Sequence, residues 1–375
     1  MGFFYYFSAM NQRNLSLDVL RGMTVALMII VNTPGNYATT FSPLLHASWH
    51  GFTPTDWVFP TFMFVVGNAM SFSLVKYESA GQSIFLKKIF KRFAVIFLLG
   101  FLMYWFPFFH QENGEWVFNS FADTRVFGVL QRIALGYLFA SLILHYWKEK
   151  GAILFSVFAL LGYWLILFVI GDYTLTGNAV LKLDLALLGE RHLYHGEGMA
   201  FDPEGLLSTL PAIVNVIAGY LTGRFILQKR NPYETIARLM MAGAVLVFVA
   251  LSWNMVFPIN KKLWTSSFVL YTVGLDLLIL PLLIFIIDVK QQKRWTYFFE
   301  VFGKNTLFIY MFSEIGIIFF WLLKIGDVTL YEWLYQNIFR LAGDYTGSFL
   351  FALGWMLTCW SVGWWMDKKK IYVKV

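Results

Sequence analysis

Long apolar stretches recur along the whole chain, separated by short runs of charged residues, glycine and proline. Ten stand out, at about 16–37, 54–75, 89–108, 124–146, 151–171, 207–227, 237–257, 267–287, 300–323 and 347–366. Each reaches about 18 residues or more, enough for a helix to cross a hydrocarbon core of about 30 Å. Lipid offers no partner to free backbone N–H and C=O groups, and the stretches are too long for barrel strands. The pattern therefore predicts an all-α, polytopic transmembrane bundle of about ten helices. With no Pro/Ser-rich linker and no low-complexity tract, residues 1–375 read as one transmembrane domain.

Composition agrees with this reading. Hydrophobic residues make up 58% of the chain and charged residues 14%, where a soluble domain carries roughly a quarter charged. Nineteen lysines and arginines fall in one alternating set of connections and six in the other, which predicts both termini in the cytoplasm of a cell with the chain in its cytoplasmic (inner) membrane. These basic residues flank apolar helices, so the net charge of +7 reflects membrane orientation and not nucleic-acid binding. The many Trp and Tyr residues near span ends fit an interfacial belt. The single cysteine, Cys359, lies in the last stretch and offers neither a disulfide nor a cysteine metal site. The first nine residues, MGFFYYFSA, lack the basic start of a signal peptide, and Met10 is the expected initiator.

Polar chemistry concentrates in one connection, NTPGNYATTFSPLLHASWHGFTPTDWVFP, from Asn32 to Pro60. Asp56 follows Thr53-Pro54, a helix-opening step, so it belongs to the first turn of the second helix. There it either complements the helix dipole or accepts from one ring nitrogen of His46, leaving the other nitrogen basic. Within the spans, ionisable residues are expected to be paired or to face a cavity. Asp18 and Arg21, three apart, read as a pair on one helix face. Arg125 is expected at the outer end of the fourth helix, with Arg132 two turns or roughly 10 Å deeper. Arg132 needs an anion, a carbonyl cluster or a ligand, and Asp276 and Glu314 are its candidate protein partners. Trp49 and Trp264, beside the polar loops, are candidates for stacking on a sugar. Asp202 and Glu204 in FDPEG read either as a helix-start signal or as groups that capture a cationic substrate. Together these residues imply a histidine-containing polar pocket and leave two classes open, enzyme and transporter; a structural scaffold would leave them without a role.

The blocks LDVLRGMTVALMIIVN (17–32), LLHASWHGFTPTDWVFPTFMFVVG (44–67), RVFGVLQRIALGY (125–137), FDPEGLLSTLPAIV (201–214), FPINKKLWTSSFVL (257–270) and GKNTLFIYMFSE (303–314) resemble the heparan-α-glucosaminide N-acetyltransferase family of transmembrane acyltransferases. They stand in family order and cover nearly the whole chain. The resemblance implies transfer of an acetyl group from cytoplasmic acetyl-CoA to the amine of a terminal glucosamine across the membrane. It places the catalytic histidine at His46, its aspartate at Asp56 and the active-site asparagine at Asn32. Three departures bear on the acceptor: a longer stretch between Asn32 and His46, His50 where animal members have Asn, and Ser313 where they have His before Glu314. The large non-cytoplasmic segment that precedes this region in animal members is also expected to be missing, as in a microbial relative.

On that basis His46 is the expected base, Asp56 its orienting partner, and Asn32 a donor to the developing oxyanion. Direct transfer and an acetyl-histidine intermediate both remain open. Arg21, Lys304, Asn305 and Arg132 are the expected contacts of acetyl-CoA, and Asp202, Glu204, Trp49 and Arg125 those of an amino-sugar or glycan acceptor, with no metal. The sequence leaves homodimer formation open. The competing functions are a secondary transporter of an anionic or amino-sugar substrate and an O-acyltransferase of an envelope glycan.

Overall fold

A computed structural model of the chain describes residues 15–79, 81–112, 115–228 and 231–373. The expectation about Met10 lies outside these residues. The chain is a bundle of helices. In order they are α1 (Leu15–Asn32), α2 (Pro54–Glu78), α3 (Gln82–Trp105), α4 (Val129–Ile170), the short α5 (Ala179–Leu188), α6 (Thr209–Gln228), α7 (Pro232–Trp253), α8 (Ser266–Leu283, closing in a π segment, Ile284–Val289), α9 (Thr296–Lys304), α10 (Thr306–Leu322), the short α11 (Leu330–Leu334) and α12 (Asp344–Lys368). Two small antiparallel hairpins, Phe109–Glu112 with Glu115–Phe118 and Lys324–Ile325 with Val328–Thr329, sit in the connections.

Among the described residues, seven helices are long and apolar enough to cross a membrane, or eight if the bent pair α9–α10 counts as one span. Ten stretches were expected, and the local chemistry accounts for the difference. The fourth and fifth are both present within α4, which is two helices meeting at a kink at Lys148, whose φ of 56° is non-helical, and which counts once only because the helices run on directly. α3 begins with Lys87, Lys88, Lys91 and Arg92 in its first three turns, too much charge for an apolar span. The expected ninth stretch is broken at Asn305 by an 83° bend. There the side chain of Asn305 donates to Ile371 O and accepts from Val373 N, both at 2.9 Å, tying the break to the segment after α12.

Two ends need correction as well. α1 stops at Asn32, five residues short of the expected edge, because Pro34 disfavours helix at the residue before it. α4 begins at Val129, so Arg125 lies in the loop leading to the helix and not on its end.

The main core is formed by α2, α4, α6 and α8. α2 and α6 touch backbone to backbone: a Cβ on Gly67 would lie 1.9 Å from Val216 O, and one on Gly219 would lie 1.9 Å from Phe64 O. Cys359 is packed in a second cluster between α12, α1 and α10. The bundle has two ends. α1 runs from Asp18 and Arg21, at what we call the basic end, to Asn32, at the His46 end.

Candidate active site

The loop from Thr33 to Thr53 folds back over the start of α2 because Asp56 gathers its donors. Asp56, 1% exposed, accepts from His46 Nδ1 on Oδ1 at 2.6 Å. Its Oδ2 accepts from Ala47 N at 3.1 Å, Thr53 N at 2.9 Å and Thr53 Oγ1 at 3.1 Å. Thr53 precedes Pro54 at the first helical position, and a carboxylate three residues on that bonds back to its N–H is the logic of a helix N-terminal box. The same carboxylate thus caps the helix and holds the histidine. A carboxylate only accepts, so Nδ1 carries the proton and Nε2 presents its lone pair. The His46 side chain is 42% exposed, open on that side. Desolvation by the surrounding protein, then the nearby cation of Lys261, lower its pKa from the ordinary histidine value against the pull of Asp56. At neutral pH the ring is therefore neutral and able to take a proton.

Beside this pair lies a compensated charge cluster. Arg125 Nε donates to Asp202 Oδ2 at 2.8 Å, and its Nη2 donates to Asp202 Oδ1 and Glu204 Oε2, both at 2.7 Å. The guanidinium lies between the rings of Tyr104 and Tyr194, at 4.8 and 4.7 Å from their centroids. Lys261 Nζ reaches Glu204 Oε1 at 3.5 Å. Burial pushes the Glu204 carboxyl up, but Lys261, Arg125 and Arg132 outweigh it and hold it at about 2. The helix-start reading of Asp202 and Glu204 is corrected here: α6 begins at Thr209, and Asp202 instead caps a turn at Glu204 N, at 2.9 Å.

Arg132 is fully buried and meets neither expected carboxylate. Its Nη2 donates to Gly205 O at 3.1 Å and to Ser208 Oγ, and the guanidinium lies 4.8 Å from the Trp264 ring centroid. Asp276 instead accepts from Trp57 Nε1 at 2.9 Å and Thr61 Oγ1 at 2.7 Å. Glu314 accepts from Asn32 Nδ2 at 3.1 Å. Trp264 is itself fully buried, which removes it as a stacking platform. Trp49 is half-buried, donating to Tyr173 O at 2.7 Å with its ring against Phe201. Asn32 is exposed at the end of α1, and its carbonyl accepts from Tyr37 OH at 3.1 Å.

At the basic end a cavity of about 410 Å³ opens between α1, α2, α3, α4 and α10. Arg21, Arg92 and Lys304 supply its charge, and Phe62, Val65 and Ile133 are among its apolar walls. Arg21 Nη1 donates to Asp18 Oδ1 at 3.2 Å and to Gly303 O at 3.4 Å, and Lys304 Nζ donates to both oxygens of Asp367 at 2.9 Å. Arg92 Nε is buried with no hydrogen-bond partner among the described residues. Of the four expected donor contacts, Arg21 and Lys304 line the cavity while Asn305 and Arg132 do not; Asn305 is spent on the chain near Ile371 and Val373. Arg92 was read from the sequence as one more connecting-loop cation. Its place in the third turn of α3, the last charge before an unbroken apolar run, is the signal that marks it.

α10 joins the two ends. Tyr310 lines the cavity and Glu314 is one turn further, about 6 Å along the axis. One helix thus links the wall of this cavity, lined by cations and apolar side chains, to the carboxylate bonded to Asn32.

Residues 13–252 match the family model described as heparan-alpha-glucosaminide N-acetyltransferase, catalytic. The chain belongs to the heparan-alpha-glucosaminide N-acetyltransferase family. It is 29% identical to the human heparan-alpha-glucosaminide N-acetyltransferase over 89% of this chain and 58% of the relative. It is 27% identical to the mouse protein of the same name, over 87% of this chain and 57% of that one. The chain therefore spans a little under three fifths of the length of these curated relatives. Within this N-acetyltransferase family match fall Arg21, Asn32, His46, Asp56, Arg92, Arg125, Arg132, Asp202 and Glu204, whereas Lys261, Lys304 and Glu314 come after it.

Proposed function

We propose that this chain is a multi-pass acetyltransferase of a cell's inner membrane. It takes the acetyl group of cytoplasmic acetyl-CoA at the basic end and delivers it to the amine of a terminal amino sugar at the His46 end, on the far side. The observation that carries this reading is the 2.6 Å bond between His46 Nδ1 and a fully engaged Asp56, which leaves Nε2 as a base. The cavity supports the donor side. Its cations suit the phosphates of coenzyme A, with the unpartnered Nε of Arg92 as a ready donor, and its apolar walls suit an extended pantetheine arm. The preponderance of basic residues in the connections at that end supports a cytoplasmic location for it and for both termini.

As substrate, the donor supplies a thioester carbonyl open to attack. An amine carried as ammonium must first lose one proton to water before its lone pair can attack, and the neutral His46 accepts the second proton, released as the C–N bond forms. Asp56 holds the required tautomer and stabilises the imidazolium. The proton then passes to the departing sulfur as the C–S bond breaks. Asn32 has two amide N–H groups, one committed to Glu314 and one available to the developing oxyanion.

The test is thiol release by the purified protein supplied with acetyl-CoA, with and without a panel of amino sugars, and mass spectrometry of the sugar. Sugar-dependent thiol release with formation of the N-acetyl product is expected. No release with any amino sugar, together with uptake of one by reconstituted vesicles, would favour transport and end the proposal.

A further inference from the structure

Several carboxylates at the His46 end are matched by cations. Asp56 faces His46, and Asp202 and Glu204 face Arg125 and Lys261. Glu197 pairs with Lys262 at 2.5 Å. Asp184 and Asp276 pair with no cation among the described residues, but both are fully buried, Asp184 accepting from Leu206 N at 3.0 Å and Asp276 from Trp57 Nε1 and Thr61 Oγ1. Glu314 differs from all of these. It is half-buried on α10, and no cationic side chain pairs with it among the described residues. Oε1 accepts from Asn32 Nδ2, while Oε2 has no hydrogen-bond partner among the described residues.

That arrangement is costly in a membrane helix. An acidic residue at the centre of a span costs at least about 2.5 kcal/mol, and such residues pair with an opposite charge or serve a ligand. One neutral amide does not compensate a carboxylate. Glu314 is nonetheless anchored, one turn beyond the cavity wall at Tyr310 and bonded to the residue that begins the His46 loop.

We propose that Glu314 receives the ammonium group of the acceptor and is what makes the site select an amine over a hydroxyl. The proposal rests on the acetyltransferase reading. It replaces Asp202 and Glu204 as the capturing carboxylates, since theirs is the charge that Arg125 and Lys261 already satisfy. A bound ammonium completes the pair that Glu314 lacks and sets the amine beside the amide of Asn32, one helical turn from the cavity wall at Tyr310. A sugar carrying only hydroxyls offers nothing to that carboxylate.

Glu314→Gln keeps the acceptor oxygen for Asn32 and removes only the charge. It is expected to raise KM for glucosamine by about 10–100-fold, the scale of one charge-assisted hydrogen bond, while acetyl-CoA affinity stays near wild type. Glu314→Asp, which restores the charge, should recover much of the loss. In the wild-type protein, binding of glucosamine should exceed that of glucose, and Glu314→Gln should erase the preference. An unchanged glucosamine KM in a Glu314→Gln protein that binds CoA normally overturns the proposal. So does a wild-type protein that binds glucose as tightly as glucosamine, a measurement that needs no variant to fold. Absence of thiol release with every amino sugar would count against the acetyltransferase reading itself, and the sugar-binding comparison would still judge Glu314.

Discussion

The two ends of the bundle handle charge in opposite ways. At the His46 end, Asp56 collects four donors and Arg125 saturates two carboxylates, so the groups around the histidine are held by one another. At the basic end, Arg21 and Lys304 each keep one carboxylate, Arg92 keeps an unpartnered Nε, and all three line open space. The first arrangement suits groups that must not move during a reaction, because preorganised partners need no rearrangement in the transition state. The second suits recruitment of an anion that the protein itself does not supply. Under the proposed function, the difference separates the part of the molecule that performs chemistry from the part that binds the donor.

That division can be tested from its largest effect downward. His46→Ala should lower turnover by about 10²–10⁴-fold, the usual scale for losing a general base, and leave acetyl-CoA affinity unchanged. Asp56→Asn should approach the same loss, since it disturbs the tautomer without removing the ring. Single-turnover rates and CoA affinity measured side by side check both, and near-wild-type turnover in His46→Ala would remove the histidine from the reaction. Next, Arg92→Gln should raise KM for acetyl-CoA by about tenfold, one charge-assisted contact's worth, with kcat little altered at saturating donor. If the acceptor KM moves instead, the two ends are not separate in function.

The smallest effect is a pH shift. Burial and Lys261 hold His46 below its ordinary pKa, so the base is in its active, neutral form once pH rises through that lowered value. Lys261→Met removes the cation, which raises the pKa of His46. The acid limb of the pH–rate profile should then move to higher pH, with the plateau at alkaline pH unaffected. A profile that does not move denies Lys261 any influence on the base.

Much of this was legible in the chain, for physical reasons that also set the limits. Apolar runs report where helices lie, because lipid imposes length and composition on them. They do not report a break such as Asn305, where a side-chain amide binds backbone groups more than sixty residues away. The His46–Asp56 bond spans ten positions and a marked helix start, so local chemistry points to it. Arg125 finds Asp202 seventy-seven positions on, a pairing decided by how loops meet over the bundle. From the sequence Arg132 called for an anion, a carbonyl cluster or a ligand, with Asp276 and Glu314 as its candidate protein partners. Carbonyl, hydroxyl and indole partners satisfied part of that need, and residue spacing carries no record of them.

The glycine seam between α2 and α6 sets where variation can enter this protein. Gly67 and Gly219 each face the other helix's backbone with room for hydrogen alone. α2 carries Asp56 on its first turn, and α6 follows the loop that holds Asp202 and Glu204. A single added methyl on that seam would pry apart the helix that aims the base from the one behind the charge cluster. Drift toward new acceptors therefore has little freedom in the seam and more at the exposed positions of the loop between Asn32 and His46, Asn36 to Ala38 and Phe41 to Ser42. Changes there leave the seam alone, so the substrate range of such an enzyme can diversify while its reaction stays the same.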